Sequence, residues 1–278
     1  MGAHRIGVDE LQTAAKFGRL DECKRLHATF HLTIADVRAY NNCALRHAAA
    51  YGHLAVCEWL HATFGLTSED ARAWDHYPLR FAAEHGHLGV CEWLHATFDL
   101  TPADARAVDN CALRAAAANG YLAVCEWLHA TYGLTAADAR ASNNCALREA
   151  AANGHLDVCQ WLHATYALTP GDARAKNNNA LVWTAANGHR DVCEWLCATY
   201  GLTAEDARAS NNYALRWAAH KGHRPVCEWL VAAYALTLAD LEEAALRSTP
   251  AALALLETLK PTLLRRELAA VLRALADA

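Results

Sequence analysis

The segment GHLAVCEWLHATF, residues 52–64, decides how this chain folds, because it returns with few changes along most of the sequence. Its copies occupy residues 86–98, 120–132, 154–166, 188–200 and 222–234. The cysteine of this segment recurs every 34 residues from Cys23 to Cys227 without an insertion. An unbroken period predicts a solenoid, in which every repeat meets its neighbours through one fixed geometry.

The same period sets the boundaries of the repeats. Six full repeats begin at Asn41, Asp75, Asp109, Asn143, Asn177 and Asn211. We expect an N-terminal capping repeat over residues 1–40, six full repeats over residues 41–244 and a C-terminal helical cap over residues 245–278. The ends of a solenoid face water on one side, so repeats that depart from the pattern suit those positions.

Each repeat contains three helical signals. ALRHAAAYG, which begins at Ala44, is an alanine-rich helix that Gly52 can end. The quoted segment is a second helix, since its apolar residues recur three and four positions apart. In the third signal, LTSEDARA at residues 66–73, Thr67 and Asp70 have the spacing of a capping box. The sequence therefore predicts an all-α fold with a short third helix, about two turns long, in every repeat.

The composition favours a folded helical chain, with 54% hydrophobic and 20% charged residues and only 14 Gly and 6 Pro. The net charge of −5 provides no basic face, so nucleic acid is not an expected partner. No apolar stretch is long enough for a secretory signal or a membrane span, so neither is expected. The odd number of 11 cysteines fits reduced thiols, and we expect a cytoplasmic or nuclear protein that is not secreted.

Two apolar columns recur on the second helix. The repeated cysteines are expected to be small buried residues. The spacing His53-x3-Cys57-x3-His61 predicts no metal site, because ligands eight positions apart on a helix cannot share a shell of about 2.0–2.3 Å. The tryptophans are expected in the core, between the second and third helices. They are Trp59, Trp93, Trp127, Trp161, Trp195 and Trp229.

Polar columns recur as well. The histidine after the glycine, such as His53, is expected to cap its turn through a ring hydrogen bond, and Asp70 is expected to cap the third helix. Nearly every polar residue is repeated, so we expect neither an enzyme nor a bound cofactor or metal. The arginines of the third helix are expected to form a solvated row, with a ladder that binds an external ligand as the alternative. These arginines are Arg72, Arg106, Arg140, Arg174 and Arg208.

The repeat resembles an ankyrin repeat. The shared residues are Ala44-Leu45-Arg46, Ala48-Ala49, Gly52-His53-Leu54, Val56-Cys57 and Leu60. The family's Thr-Pro-Leu-His opening survives only in part, as Tyr77-Pro78-Leu79-Arg80, and LTxxDARA replaces the β-hairpin finger. In these departures the chain is similar to divergent ankyrin arrays of large DNA viruses and protists. The resemblance implies a protein-binding scaffold or adaptor whose first helices and preceding loops line a concave face.

Partner specificity is expected at positions where the repeats differ. On the first helix and the loop before it, aromatic side chains concentrate toward the first and last repeats. Tyr and Trp are frequent binding hot spots, so we expect these residues of a monomeric chain to bind a protein partner, with packing between repeats as the alternative role. The candidates are Tyr51, Trp74, Tyr77, Phe81, His85, Trp183, Tyr213, Trp217 and Lys221.

The C-terminal segment leaves the repeat pattern. Residues 248–278, STPAALALLETLKPTLLRRELAAVLRALADA, predict two amphipathic helices broken at Pro261. Their expected role is a cap. The alternative is a docking element, which would make the chain a substrate-recruiting adaptor or effector of a ubiquitin ligase.

Overall fold

A computed structural model describes residues 2–246 and 249–276 of the chain. It comprises two compact bodies, residues 1–141 and residues 142–278. Throughout the described residues the regular elements are α-helices packed in tandem, so the all-α fold class is confirmed. None of these helices is both long enough and apolar enough to cross a bilayer.

The first body follows a regular order of two longer helices and one helix of 4 residues. In chain order its helices are α1 (Gly2–Lys16), α2 (Leu20–Phe30), α3 (Ile34–Val37), α4 (Ala39–Ala50), α5 (Leu54–Phe64), α6 (Ser68–Ala71), α7 (Ala73–Glu84), α8 (Leu88–Phe98), α9 (Pro102–Ala105), α10 (Ala107–Ala118), α11 (Leu122–Tyr132) and α12 (Ala136–Ala139).

The second body contains all of α13 except its first residue. It keeps the same order of helices at first, and then a short helix is continuous with the longer helix that follows it. Its helices are α13 (Ala141–Ala152), α14 (Leu156–Tyr166), α15 (Pro170–Ala173), α16 (Ala175–Ala186), α17 (Arg190–Tyr200), α18 (Ala204–His220), α19 (Arg224–Ala233), α20 (Leu238–Leu246) and α21 (Pro250–Ala276).

The short third helix is a single turn. In α6 the backbone N–H and the hydroxyl of Thr67 both donate to Asp70 Oδ2, at 2.8 and 3.2 Å. The expected capping box is therefore present. The expected length of about two turns is wrong, because the chain leaves the right-handed helical conformation at Trp74, only three residues beyond the end of α6.

A left-handed turn interrupts each of the helices α4, α7, α10, α13, α16 and α18 within the bounds given above, so the regular part of the first helix of every full repeat begins after it. We use this name for three consecutive residues, such as Trp74, Asp75 and His76, whose φ angles lie between 52° and 60°. This conformation costs residues with a Cβ atom roughly 1–2 kcal/mol each. Asn and Asp tolerate it best, and they fill the second and third positions of these turns except at His76. The backbone conformation thus explains the repeated Asn pairs.

Leucine, alanine and cysteine side chains form the core. Leu45, Leu60 and Cys57 are 0% exposed, and the other six repeated cysteines are equally inaccessible, so their expected burial is confirmed. Burial raises the pKa of the Cys91 thiol to about 12, so this side chain stays protonated and chemically inert. The cysteines of the described residues form no disulfides.

The tryptophans of the second helices are half-buried, so their expected place in the core is wrong. The Trp93 ring meets the Phe98 ring edge to face, with centroids 5.3 Å apart. His61 of the preceding repeat meets both rings, at 6.2 and 5.3 Å. Trp93 therefore joins two repeats at the edge of the core. The same contact with a histidine of the preceding repeat is made by Trp59, Trp127 and Trp195.

The C-terminal helix α21 is continuous through Pro261, so the expected break is wrong. An interior proline removes one backbone hydrogen bond and strains the preceding turn. On either side of it, Leu256, Leu259 and Leu263 are each no more than 5% exposed. Their packing against the last repeat holds the helix straight enough to continue.

Candidate functional site

Arginine and aspartate side chains join successive repeats at the short helices. Arg72 Nε donates to Asp104 Oδ1 at 2.6 Å, and its Nη2 donates to Oδ2 at 3.0 Å. Asp104 also caps its own short helix, so one carboxylate holds both the helix start and the preceding repeat. We call this arrangement the arginine–aspartate clamp. It recurs as Arg38–Asp70, Arg106–Asp138, Arg174–Asp206 and Arg208–Asp240.

These contacts correct two expectations for the arginines of the short helices. They are not a free solvated row, because the planar guanidinium of each clamp arginine forms a bidentate ion pair with a carboxylate that is less than a tenth exposed. Nor are they positioned as a ladder for an external ligand. Their role is to fix the register between one repeat and the next.

The histidine that follows a turn glycine, such as His53, also joins repeats, because its ring hydrogen bond caps the turn of the preceding repeat rather than its own. His53 Nε2 donates to the carbonyl of Lys16, one repeat earlier, at 3.0 Å. Its ring covers Gly18, where a Cβ atom would lie 2.4 Å from Nδ1. His223 covers Gly188 in the same way, at 2.6 Å. Glycine is therefore required at this position by the neighbouring ring as well as by its positive φ.

The second histidine of the quoted segment has a different partner. His61 Nδ1 donates to the carbonyl of Leu66, in the loop before the short helix, at 3.0 Å. His53, Cys57 and His61 thus face a preceding turn, the core and a following loop. Within the part of the chain that the structure describes, no three His, Cys, Asp or Glu side chains are grouped so that they could hold a metal ion.

The candidate residues of the first body form one continuous array of rings. Along α7, Trp74 stacks on Tyr77 at 5.5 Å, Tyr77 on Phe81 at 3.7 Å, and Phe81 on His85 at 6.3 Å. Tyr51 of the preceding repeat reaches His85 at 6.3 Å. We call these five side chains the first aromatic array. Tyr77 and Phe81, four residues apart, share one face of α7, and His85 follows at the same spacing just beyond the end of the helix.

The ends of the first aromatic array are open to solvent. Trp74 is 58% and Tyr51 47% exposed, although large aromatic side chains are usually buried. An open depression of about 250 Å³ lies along Trp74, Tyr77 and Phe81. Cations flank both ends, because the Arg46 guanidinium lies 4.2 Å from the Trp74 ring centroid and the Lys16 ammonium 5.4 Å from that of Tyr51.

The candidate residues of the second body form a smaller group. Trp217 meets Trp183 at 5.6 Å and Tyr213 at 5.8 Å, and all three rings are half-buried. Lys221 is exposed, and its Nζ donates to Asn187 Oδ1 of the preceding repeat at 2.9 Å. We call the three rings the second aromatic cluster. Trp183 and Trp217 contact each other across a repeat junction, so they contribute to packing between repeats as well as to the surface.

Arg46 and Arg80 are part of this face but were absent from the expected site. Arg80 Nε donates to the carbonyl of Asp75 at 2.6 Å, which holds the left-handed turn beneath the first aromatic array. In the sequence these arginines appear only as a residue of the first helix that five of the six full repeats share. A residue that recurs in most repeats is expected to have a structural role, so the sequence contains no signal of the contact between these arginines and exposed rings.

Comparisons with known proteins agree with this architecture. Ankyrin repeat models match residues 79–167 and 147–240, in a model of three copies, and residues 45–95, in a model of many copies. These matches cover more than half of the chain, and the chain belongs to the ankyrin repeat family. Members of this family are generally protein–protein interaction modules and are typically non-catalytic. Comparison with curated proteins gave no match.

Proposed function

We propose that this chain is a non-catalytic scaffold or adaptor that binds a protein partner on the face formed by its first helices and left-handed turns. The observation that carries the proposal is the first aromatic array, a continuous series of rings with exposed ends at Trp74 and Tyr51. Exposure of aromatic rings to water is unfavourable in free energy, and exposed rings bordered by cations are typical of binding hot spots.

The charges around the array favour a partner with apolar and acidic groups. Arg46 and Lys16 lie over the terminal rings, and the adjacent depression offers an aromatic floor bordered by Arg80 and Asp75. A partner side chain that covers Trp74 would exclude water from the ring and strengthen the neighbouring cation–π contact. Because Tyr51 comes from one repeat and His85 from the next, the array offers a broad contact rather than a closed pocket.

A double variant, Trp74→Ser with Tyr51→Asn, tests the proposal. Serine occupies the position of Trp74 in two later repeats, at Ser142 and Ser210, and asparagine replaces Tyr51 in three, so both changes suit the fold. Partners would first be found by proximity labelling in the native cell. The purified variant is expected to bind such a partner roughly 30-fold more weakly, the loss typical of a removed hot spot.

The matched control is Tyr121→His, which alters an exposed ring at a glycine turn and installs the residue that most other repeats carry there. This control is expected to bind the partner as the unaltered chain does. Unchanged affinity of the double variant would contradict the proposal. A large fall in its thermal midpoint would instead assign the rings to packing between repeats.

A second candidate function concerns α21, whose outer face is unusually apolar. Leu264, Leu268, Val271 and Leu272 are 53–60% exposed and lie on one face, while Leu256 and Leu263 face the last repeat. Arg266 donates to the carbonyls of Val231 and Leu236, which anchors the inner side. This division supports a cap that also docks another protein, such as a subunit of a ubiquitin ligase.

The variant Leu268→Glu with Val271→Glu separates docking from capping, because both side chains are exposed while the inner face stays intact. If α21 docks a partner, the variant is expected to keep its thermal midpoint and to lose one group of labelled proteins, ligase subunits among them. An unchanged set of labelled proteins would leave α21 with the capping role alone.

A further inference from the structure

An arginine near the start of the first helix supports the left-handed turn in most repeats. Arg46 Nε donates to the carbonyl of Asn41 at 2.7 Å, and its Nη2 to that of Tyr40 at 2.9 Å. Arg148 bonds the corresponding carbonyls, at 2.8 and 3.3 Å. The guanidinium thus satisfies two carbonyls that belong to a strained stretch of backbone.

The same guanidinium reaches the next repeat. Arg46 lies over the rings of Trp74 and Tyr77, with centroids 4.2 and 4.8 Å away. Arg148 Nη1 donates to Asn179 Oδ1 at 2.9 Å. None of these contacts involves a carboxylate. Carbonyl oxygens, an amide and aromatic faces therefore suffice to hold an arginine at this place, which is almost completely buried at Arg46 and Arg148.

One repeat departs from this pattern. The equivalent residue is Arg46, Arg80, Arg114, Arg148 or Arg216 in five repeats, but Val182 in the remaining one. Val182 is 4% exposed and too short to reach the carbonyls of its left-handed turn. An opening of about 210 Å³ lies beside it. The opening is lined by Lys176, Asn177, Asn179, Val182, Ser210 and Tyr213.

These lining residues match the surroundings of Arg46. A shift of four repeats places Lys176 and Asn177 at the positions of Tyr40 and Asn41, whose carbonyls accept from Arg46. It also places Tyr213 at the position of Tyr77, which carries the guanidinium on its ring. The opening is the site of an arginine that this repeat lacks.

We infer that the opening beside Val182 binds an arginine side chain supplied by a protein partner. The incoming guanidinium donates to the carbonyls of Lys176 and Asn177 and lies against the Tyr213 ring, as the chain's own arginines do elsewhere. Its planar fork fits two adjacent carbonyls, whereas a lysine ammonium offers a point charge and no flat face. The inference rests on the proposed function, because a bound protein is the source of the arginine.

Two cations of the chain border the site. Lys176 is exposed, so water and salt screen its charge. The Arg216 guanidinium lies 5.5 Å from the Tyr213 ring centroid. Arg216 corresponds to Arg80. Arg80 belongs to the same repeat as Tyr77, whose ring contacts Arg46. The chain therefore already places a second arginine near a site that an arginine occupies.

The test is a titration of the full chain with N-acetyl-arginine amide, followed by backbone amide NMR. Saturable shift changes are expected at Asn177, Val182 and Tyr213, with much weaker ones for N-acetyl-lysine amide. Val182→Arg fills the opening from inside, so it is expected to abolish these changes and to raise the thermal midpoint. Lys176→Ser removes the bordering cation and installs the residue found at Ser142 and Ser210, so it is expected to tighten binding.

Three results would overturn the inference: no saturable change in the unaltered chain, equal changes with the lysine compound, or changes that persist in Val182→Arg. The titration needs no protein partner, so it is independent of the test of the first aromatic array. If the arginine compound fails to bind while Trp74→Ser with Tyr51→Asn loses its partner, the opening is refuted and the proposed function stands. If the compound binds but no protein partner is recovered, the arginine site is supported and the proposed function is not.

Discussion

Replacing Gly188 with alanine is expected to destabilise the second body by roughly 2–4 kcal/mol. Gly188 has a φ of +85°, which alanine adopts only with strain, and the added methyl group would lie 2.6 Å from His223 Nδ1. The ring must then move off the turn that it covers, which opens the junction between two repeats. Native-state hydrogen exchange would measure the loss as lower protection in α16, α17 and α19.

Gly222→Ala is the matched control for this change. Gly222 has a similar φ of +79°, but no atom lies within 4 Å of the Cβ position. We expect it to cost only the backbone strain, roughly 1–2 kcal/mol. The difference between the two variants isolates the histidine contact between repeats. Equal losses in the two variants would show that the ring contributes nothing to the junction.

Replacing Asp104 with alanine is expected to destabilise the first body by roughly 2–3 kcal/mol. The carboxylate caps α9 through the Thr101 N–H at 2.6 Å and accepts two hydrogen bonds from Arg72. The cap accounts for about 1 kcal/mol. The ion pair adds about 1–2 kcal/mol, reduced by solvent because Arg72 is 34% exposed. Hydrogen exchange in α7, α9 and α10 would report the loss.

Asp104→Asn keeps an acceptor for the cap and removes the charge, so it is expected to lose about half as much. Acid provides an independent measure at Asp240, because hydrogen bonds from Arg208 lower the pKa of that carboxyl to about 2. A depressed pKa stabilises the fold above the unfolded value of about 3.9 and does so less as the pH falls toward about 2. Asp240→Asn should therefore shrink the fall in thermal midpoint over this interval, and an unchanged fall would contradict the clamp.

The periodic sequence predicted the helical repeat and the buried cysteines correctly, because both follow from local spacing and hydrophobicity. It overestimated the length of the third helix. Sequence rules treat the left-handed conformation as an event of single residues, often glycine, whereas Trp74, Asp75 and His76 adopt it in succession. The Asn pairs at the same place in other repeats were the available signal. The break predicted at Pro261 was wrong because a local rule, that proline ends a helix, was overridden by tertiary packing.

The contacts between repeats could not be predicted, because they join residues that lie in different repeats and far apart in the sequence. Arg72 and Asp104 are each ordinary helix-end residues when they are examined in their own repeat. Only the stacking of one repeat on the next turns them into a pair. The exposure of Trp74 and Tyr51 was expected from their variability between repeats, but their inclusion in one ring array with Phe81 depended on side-chain geometry.

Within each body the arginine–aspartate clamp has a direction, since a repeat offers an aspartate to the repeat before it and an arginine to the repeat after it. His4 occupies the position equivalent to Arg38 one repeat earlier, and its ring bonds the carboxylate of Asp36 at 2.8 Å. A tandem gene duplication that adds 34 residues therefore supplies both the arginine and the aspartate that its new clamps need. We expect such arrays to lengthen or shorten by whole repeats during evolution without new contacts having to arise.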